Sequence, residues 1–411
     1  MNMYLVQKNR IRNLTKKEFT VLRLLSRLSK NIYNVTLWET KQYYELNVAF
    51  LTYNNAYHVV KNNENFTKLP MEVAENTMKI VERSFRSFFS LLKKKRNGNY
   101  IRPANLPSFL PKDGFFICIF GPHQIRVVDN GELIRLSLGR WITTNESVRY
   151  LFFKLPPTVI GHQIKEIRVL PRYRGQYFEI EHVYLQEPIL TDLDTNEYLG
   201  IDLGVGNLAA CVSTTGPSFI IDGRKLKSYN RLWNKRKAQF QSVHDKQGVE
   251  RSEKKARLFW QRSDYIRNYM AQSVNYIVKC CISNKIGNIA VGELKNIKQN
   301  ATLGRHNNQN FQSIPFGLFK QKIRSKCELY GITYHEVSES YTSQTCCVCG
   351  RIRKKNRVYR GLYKCDRCGA VINADINSAV NIARQCNPDS FQRTIGTSGT
   401  VNVPVRIRIV V

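Results

Sequence analysis

Residues 197–216 read EYLGIDLGVGNLAACVSTTG, an apolar strand, a glycine-marked break and a second apolar run. Asp202 falls at the end of the first strand. Two further acids stand at the edges of predicted elements in the same region. Glu293 lies at the end of the short buried-strand candidate in IGNIAVGELKNI (286–297), and Asp375 opens a final helix, INADINSAVNIARQ (372–385), which Asn373 can cap. Between them FGLFKQKIRSKCELYGI (316–332) places Phe316, Phe319, Ile323 and Tyr330 on one helical face and stops at Gly331. Strands paired in parallel need intervening helices, so acids far apart in the chain converge beside neighbouring strand ends. Convergent carboxylates bind magnesium, and two ions roughly 3.5 to 4 Å apart activate a water and stabilise the leaving oxygen of a phosphodiester. Taken singly, each acid has a plainer reading: a turn residue at Asp202, a surface residue at Glu293, a helix N-terminus at Asp375.

The segment before Asp375 is the most specific signal. Cys346, Cys349, Cys365 and Cys368 follow C-x2-C-x15-C-x2-C, the spacing of a four-thiolate zinc site. Four thiolates close the tetrahedron, so this zinc is structural: it folds a ribbon and leaves no position for a catalytic water. Two disulfides are the alternative, set aside because no signal-peptide pattern precedes the chain and cytosolic thiols stay reduced. Cys347 could replace Cys346 only by shortening the first clip to C-x-C. The other six cysteines, Cys118, Cys211, Cys280, Cys281, Cys327 and Cys386, lack clip spacing and read as buried thiols.

The 411 residues carry 64 Lys and Arg against 31 Asp and Glu, a formal charge of +33. That excess predicts a polyanionic partner. It is clustered: Arg224 to Arg262 holds 13 basic residues and 3 acids, interleaved with Tyr229, Trp233, Phe240, Phe259 and Trp260. Within it Arg231, Lys235, Arg236 and Lys237 are candidate phosphate contacts, and rings offer bases a stacking surface. The loop between the cysteine clips adds Arg351, Arg353, Lys354, Lys355, Arg357, Arg360 and Lys364 and no acid. No apolar stretch approaches the roughly 18 residues of a membrane span. The expectation is a soluble, intracellular protein, monomeric because no coiled-coil heptads are sustained.

Upstream, MNMYLVQKNRIRN is strand-like, and Thr15 with Glu18 makes a capping-box pattern before Leu25, Leu28, Ile32 and Val35 at helical spacing. A second long helix follows Pro70 and runs to Gly98. From about 98 to 190, prolines punctuate short alternating runs, and Asn130-Gly131 signals a hairpin, so this stretch predicts a small β-barrel or sandwich. The tail after Asn387 has little apolar pattern and reads as a loose end.

GIDLGVGNLA, GELKN, YTSQTCCVCG, YKCDRCG and NADINSAVNIA occur in the order found in the TnpB proteins of bacterial insertion sequences and their relatives, the miniature type V CRISPR nucleases, which this chain resembles. LPMEVAENTMKIVERSFRSFF resembles the helical recognition segment of that family. The resemblance implies a multidomain α/β plus all-β plus α protein: first strand of a wedge-type β-barrel at 1–13, helical recognition lobe at 14–97, wedge barrel at 98–190 and linker at 191–197. A RuvC-like nuclease of RNase H fold would occupy 198–342 and, as its final helix, 370–386, interrupted by a zinc-ribbon, target-nucleic-acid-binding insertion at 343–369 and followed by a flexible tail at 387–411. By the same resemblance Asp202, Glu293 and Asp375 match the three RuvC acids holding two Mg2+, the partners are a guide RNA and target DNA, and the activity is RNA-guided DNA cleavage beside a short adjacent motif. The setting implied is the bacterial cytoplasm, with the nucleoid when DNA is bound. The alternatives are a guided DNA-binding protein or repressor without cleavage, and a transposition accessory nuclease. The sequence departs from the family at the middle acid, where relatives carry Glu, then Asp or Asn, then Leu, and this chain has Gly292-Glu293-Leu294. On a regular strand that one-residue step sends the carboxylate to the opposite face, unless a break at Gly292 restores its aim.

Overall fold

The structure is a computed structural model that describes residues 3–215, 218–250, 252–293, 309, 311–391 and 404–410. It divides into two units, residues 2–186 and 187–411.

In the first unit β1 (Met3–Arg10) leads into α1 (Lys16–Asn47) through the capping box expected from the sequence. The Thr15 hydroxyl accepts from the Glu18 amide at 3.2 Å while the Glu18 carboxylate accepts from the Thr15 amide at 2.8 Å. Two short helices, α2 (Tyr53–Val60) and α3 (Glu64–Lys68), precede α4 (Met71–Arg96), which starts immediately after Pro70. The β stretch then supplies β2 (Cys118–Phe120), β3 (Ile125–Val128), β4 (Leu133–Ser137), helix α5 (Gly139–Glu146), β5 (Tyr150–Lys154), β6 (Ile164–Arg172) and β7 (Tyr177–Gln186). These strands make two sheets, ordered β1-β7-β6-β2 and β3-β4-β5, every pairing antiparallel. β1 therefore closes onto β7 across the whole helical block. The β3–β4 turn sits where the Asn-Gly signal placed it, with Asp129 at φ 53° and Asn130 at φ 50°. Both sheets and α1 and α4 share one apolar core, including Leu22, Leu25, Val73, Leu136, Phe153, Val169 and Phe178.

In the second unit β8 (Asp194–Leu203), β9 (Asn207–Ser213) and β10 (Phe219–Asp222) form an antiparallel meander. Helices α6 (Arg224–Gln247) and α7 (Glu253–Ser283) follow, then β11 (Ile286–Glu293), α8 (Phe316–Tyr330) and β12 (Thr333–Ser338). β11 joins β8 in parallel and β12 joins β11 in parallel, as strands linked through helices do. Three short strands, β13 (Arg357–Tyr359), β14 (Leu362–Lys364) and β15 (Val371–Ile372), form a separate antiparallel sheet before α9 (Ala374–Arg384). A last strand, β16 (Val405–Ile407), pairs in parallel with β10, and the main sheet is ordered β12-β11-β8-β9-β10-β16. The loose end expected after residue 387 is thus corrected where it is described: Phe391 is fully buried, residues 405–407 extend the sheet, and Ile409 packs into the core. Residues 392–403 of that expectation lie outside the described residues.

The sheet has two unlike faces. Leu199, Ile201, Leu203, Ile289 and Val291 meet α7 and α8 in one core, while Ala210, Val212, Ile220 and Ala290 meet Ile376, Ala379 and Val380 of α9 in another. Gly200 admits α9, since a Cβ there would strike the carbonyl oxygen of Ala379. No described helix is long and apolar enough to cross a membrane.

Candidate active site and basic finger

Asp202, two residues beyond Gly200 on β8, shares its face and looks toward the first turn of α9. There Asn373 caps the helix, its side-chain oxygen accepting from the amides of Asp375 at 3.1 Å and Ile376 at 3.3 Å, and Asp375 projects to the same place. The two aspartates line one cavity of about 260 Å3 together with Asn207, Glu339, Arg357 and Arg360. Asn207 Nδ2 donates to Asp375 Oδ2 at 2.7 Å, and Arg357 Nη2 donates to Asp375 Oδ1 at 2.8 Å.

Glu293 does not line this cavity. Val291 pairs with Ile201, and both belong to the core beneath α7 and α8, so strand alternation returns residue 293 to that same face. Expected as the middle acid, Glu293 is corrected here; β11 stays regular through Gly292 and Glu293, which pair with Val337 and Ser338, and no break re-aims it. The position beside Asp202 belongs to Gly292, whose missing side chain leaves room for a carboxylate from elsewhere. A Cβ on Gly292 would come within 2.7 Å of Glu339 Cγ and 2.8 Å of Glu339 Cδ. Glu339, the residue after β12, fills the slot. The parallel β11–β12 pairing brings it there, a contact invisible to local periodicity. The available signal was a glycine where relatives carry an acid, together with an acid two residues before YTSQ.

Electrostatics mark the cluster as cation-seeking. Burial raises the Asp202 pKa well above its ordinary value, the charges of Asp375 and Glu339 add to this, and Arg357 opposes them. Burial likewise raises Glu339, partly offset by Lys320, and Glu339 Oε1 is buried with no hydrogen-bond partner among the described residues. The three carboxylates share the cavity more loosely than the four cysteines, whose sulfurs all lie within 4.8 Å of one another.

Those cysteines are Cys346, Cys349, Cys365 and Cys368, as the spacing required. Cys346 and Cys368 sulfurs are 3.7 Å apart and Cys349 and Cys365 sulfurs 3.5 Å, close to the roughly 3.8 Å edge of a tetrahedron with 2.3 Å Zn–S bonds. Cys347 is fully buried on the other side, in the core with Ile376 and Val380. α9 holds the finger's base through one polar stripe. Asn377 accepts from the Cys347 amide at 2.9 Å and donates to the Thr345 carbonyl at 2.8 Å, and Asn381 donates to the carbonyls of Thr342 at 2.8 Å and Thr345 at 2.7 Å. The helix that carries Asp375 therefore also carries the finger.

The seven basic finger residues separate into groups. Arg357 and Arg360 turn into the acidic cavity, and Arg353 pairs with Asp366. Arg351, Lys354, Lys355 and Lys364 are exposed and enter no ion pair among the described residues. Arg231, Lys235, Arg236 and Lys237 are all exposed on α6. The ring of Trp233, expected as a stacking surface, is instead 9% exposed, with its Nε1 donating to the Leu258 carbonyl at 3.0 Å and its face against Arg262 and Phe259.

Two families match the chain: "Cas12f1-like, TNB domain" over residues 316–382 and "Probable transposase" over residues 181–298. Among relatives, the CRISPR-associated endodeoxyribonuclease Cas12f1 of Sulfoacidibacillus thermotolerans is 29% identical over 231 residues, covering 54% of this chain and 53% of that protein. The chain spans about half the length of that curated relative, and 37% of two further Cas12f1 proteins. The TnpB-like protein ORF457 of Acidianus two-tailed virus is 22% identical over 396 residues, covering 89% of this chain and 83% of that one. A Cas12f1 structure solved with single-guide RNA and target DNA matches the fold with a TM-score of 0.60 at 17% identity, over 90% of this chain and 83% of that one. By sequence the chain is similar to the TnpB-like and Cas12f1 proteins, and by fold to Cas12f1.

Proposed function

We propose that this protein is an RNA-guided DNA endonuclease whose metal-binding acids are Asp202, Glu339 and Asp375. The observation that carries the reading is the meeting of these three carboxylates in one cavity at the strand ends, beneath a basic finger. The strand order β10-β9-β8-β11-β12, with β11 and β12 parallel to β8, supports a RuvC-like domain of RNase H type. β1 pairing with β7 across the helical block supports the wedge and recognition-lobe reading of the first unit, which would read the short adjacent motif. Similarity to Cas12f1, solved with guide RNA and target DNA, supports the same two partners here. The protein itself is proposed to act as a monomer in the cytoplasm.

Magnesium suits the donor set: hard anionic oxygens, one of them a buried Glu339 oxygen that no described residue satisfies. Two such ions, when bound, would supply the positive charge that activates water and stabilises the leaving oxygen. The protein's own work is positional. β8 fixes Asp202, the capped first turn of α9 fixes Asp375, and the Gly292 notch orients Glu339. Asn207 keeps Asp375 from rotating. Arg357 holds one Asp375 oxygen and, with Arg360, stands where the phosphates of an entering strand would pass. Cys346, Cys349, Cys365 and Cys368 would hold zinc, which when bound would tie this arginine pair to the helix bearing the acid.

The test purifies the protein with the RNA it retains, adds magnesium and plasmids with matched or unmatched targets, and compares Asp202→Ala. Cutting of the matched plasmid, lost in the variant, is expected. Guided binding without cutting would convert the reading to a repressor-like protein, and cutting indifferent to RNA would leave a transposition accessory nuclease.

A further inference from the structure

A second cavity, of about 510 Å3, lies where α6 leaves β10 and passes α7. Tyr229 and Tyr265 stack in it face to face, centroids 3.9 Å apart and planes 13° from parallel, both rings half-buried. Leu232, 47% exposed, continues this apolar wall. The rim is cationic: Arg224 and Lys225 in the first turn of α6, and Arg408 just beyond β16. The acid among the lining residues is already compensated. Asp222 is 4% exposed, its Oδ2 accepts from Arg224 Nη2 at 2.7 Å, and Arg406 stands 3.7 Å from its Oδ1. Lys225 and Arg408 enter no ion pair among the described residues, so the cavity presents about two net positive charges beside a half-buried aromatic wall.

A small inorganic anion would leave the tyrosines and Leu232 wet, and an apolar ligand would leave the cations unanswered. A flat ring joined to a phosphate meets both. The volume falls in the range of small-ligand pockets, and only an unpaired base presents its face to a ring. We propose that this cavity takes one unpaired nucleotide of a nucleic-acid strand, its base continuing the Tyr229–Tyr265 stack and its phosphate meeting Lys225 and Arg408. The inference rests on the proposed function only in that the strand would be guide or target.

The test uses the full chain carrying Asp202→Ala, so that nothing is cut, and a fluorescent strand of about 12 nucleotides, made both as DNA and as RNA, with 2-aminopurine placed at each position in turn. Tyr229→Ala should weaken binding about tenfold with an unchanged salt slope and abolish the aminopurine quenching at one position. Replacing Lys225 and Arg408 together by Ala, which leaves that one phosphate unanswered, should lower the slope of log Kd against log salt by about 0.7. Both residues are exposed, so this pair carries the test if the tyrosine variant unfolds. A larger effect on RNA assigns the guide and a larger effect on DNA the target; either sustains the site. Parental affinity, slope and quenching in these variants would overturn it. Because cutting is not a readout, wild-type protein that fails to cleave a matched plasmid sinks the nuclease reading alone.

Discussion

The two faces of the main sheet are made by alternate residues of the same strands, and they do different work. Leu199, Ile201, Leu203, Ile289 and Val291 face a thick apolar core under α7 and α8. One residue along, Gly200, Asp202, Ala210, Ala290 and Gly292 make a floor of small side chains that lets α9 and Glu339 come close and leaves one acid standing. The first face buries area and supplies stability. The second surrenders area to bring like charges together, which costs stability and, on the proposed function, makes a place for cations. A one-residue step along β8 thus separates a structural side chain from a chemical one.

Substitutions on the two faces should fail differently. Asp202→Asn keeps the shape of the side chain and removes a charge that Asp375 and Glu339 oppose. Guided cleavage should fall about a thousandfold or more while the melting temperature holds or rises. Phe319→Ala removes a fully buried ring of α8 from the opposite face. It should cost about 3–5 kcal/mol in denaturant unfolding, with cleavage lost only as folded protein is lost. A cleavage defect in Phe319→Ala protein that remains fully folded would erase the distinction between faces.

The middle acid gives a sharper trial. Glu339→Gln should reduce cleavage about a hundredfold, because one carboxylate of three is neutralised without disturbing packing. Gly292→Glu alone should not help, since its Cβ meets the Glu339 side chain. Combined with Glu339→Gly it should return cleavage to within about tenfold of the parent, because the obstruction is that side chain and Gly292 does not need a positive φ. Glu293→Gln should change cleavage less than about threefold, as a carboxylate on the wrong face should. If Glu293→Gln abolished cleavage and Glu339→Gln spared it, the assignment would revert to the residue first read from the sequence.

How much could be read in advance follows the range of the interactions. The zinc cysteines, the Thr15–Glu18 box and the Asn373 cap are local patterns, and each appears at the residues named. That Asp202 and Asp375 share one cavity was legible because each sits at the edge of a strongly patterned element. The arrival of Glu339 was not, because its place depends on parallel pairing between β11 and β12, which brings it against Gly292. β16 escaped for a related reason: three residues joining a sheet edge through backbone hydrogen bonds need no alternating pattern of their own. Trp233 was misread because a ring in a basic run looks available until the helix across from it is known.

The smallest effect separates the faces by pH. Without divalent ions, Asp202 in the folded protein holds its proton to a higher pH than an unfolded aspartate near 3.9. Between that value and the raised folded one, the native state binds more protons than the unfolded state. Its stability therefore falls as pH rises through this window. Magnesium, by binding the ionised cluster, should reverse the trend, so that its stabilising effect grows with pH. Melting temperatures measured across pH with and without the ion should diverge upward in pH for the parent and run parallel for Asp202→Asn. Phe319→Ala should shift both parental curves down together and leave the gap between them intact, because the core under α8 does not exchange protons with the acid face. A gap that closed in Phe319→Ala would mean the two faces are coupled through the sheet, and the division of labour between alternate residues would have to be given up.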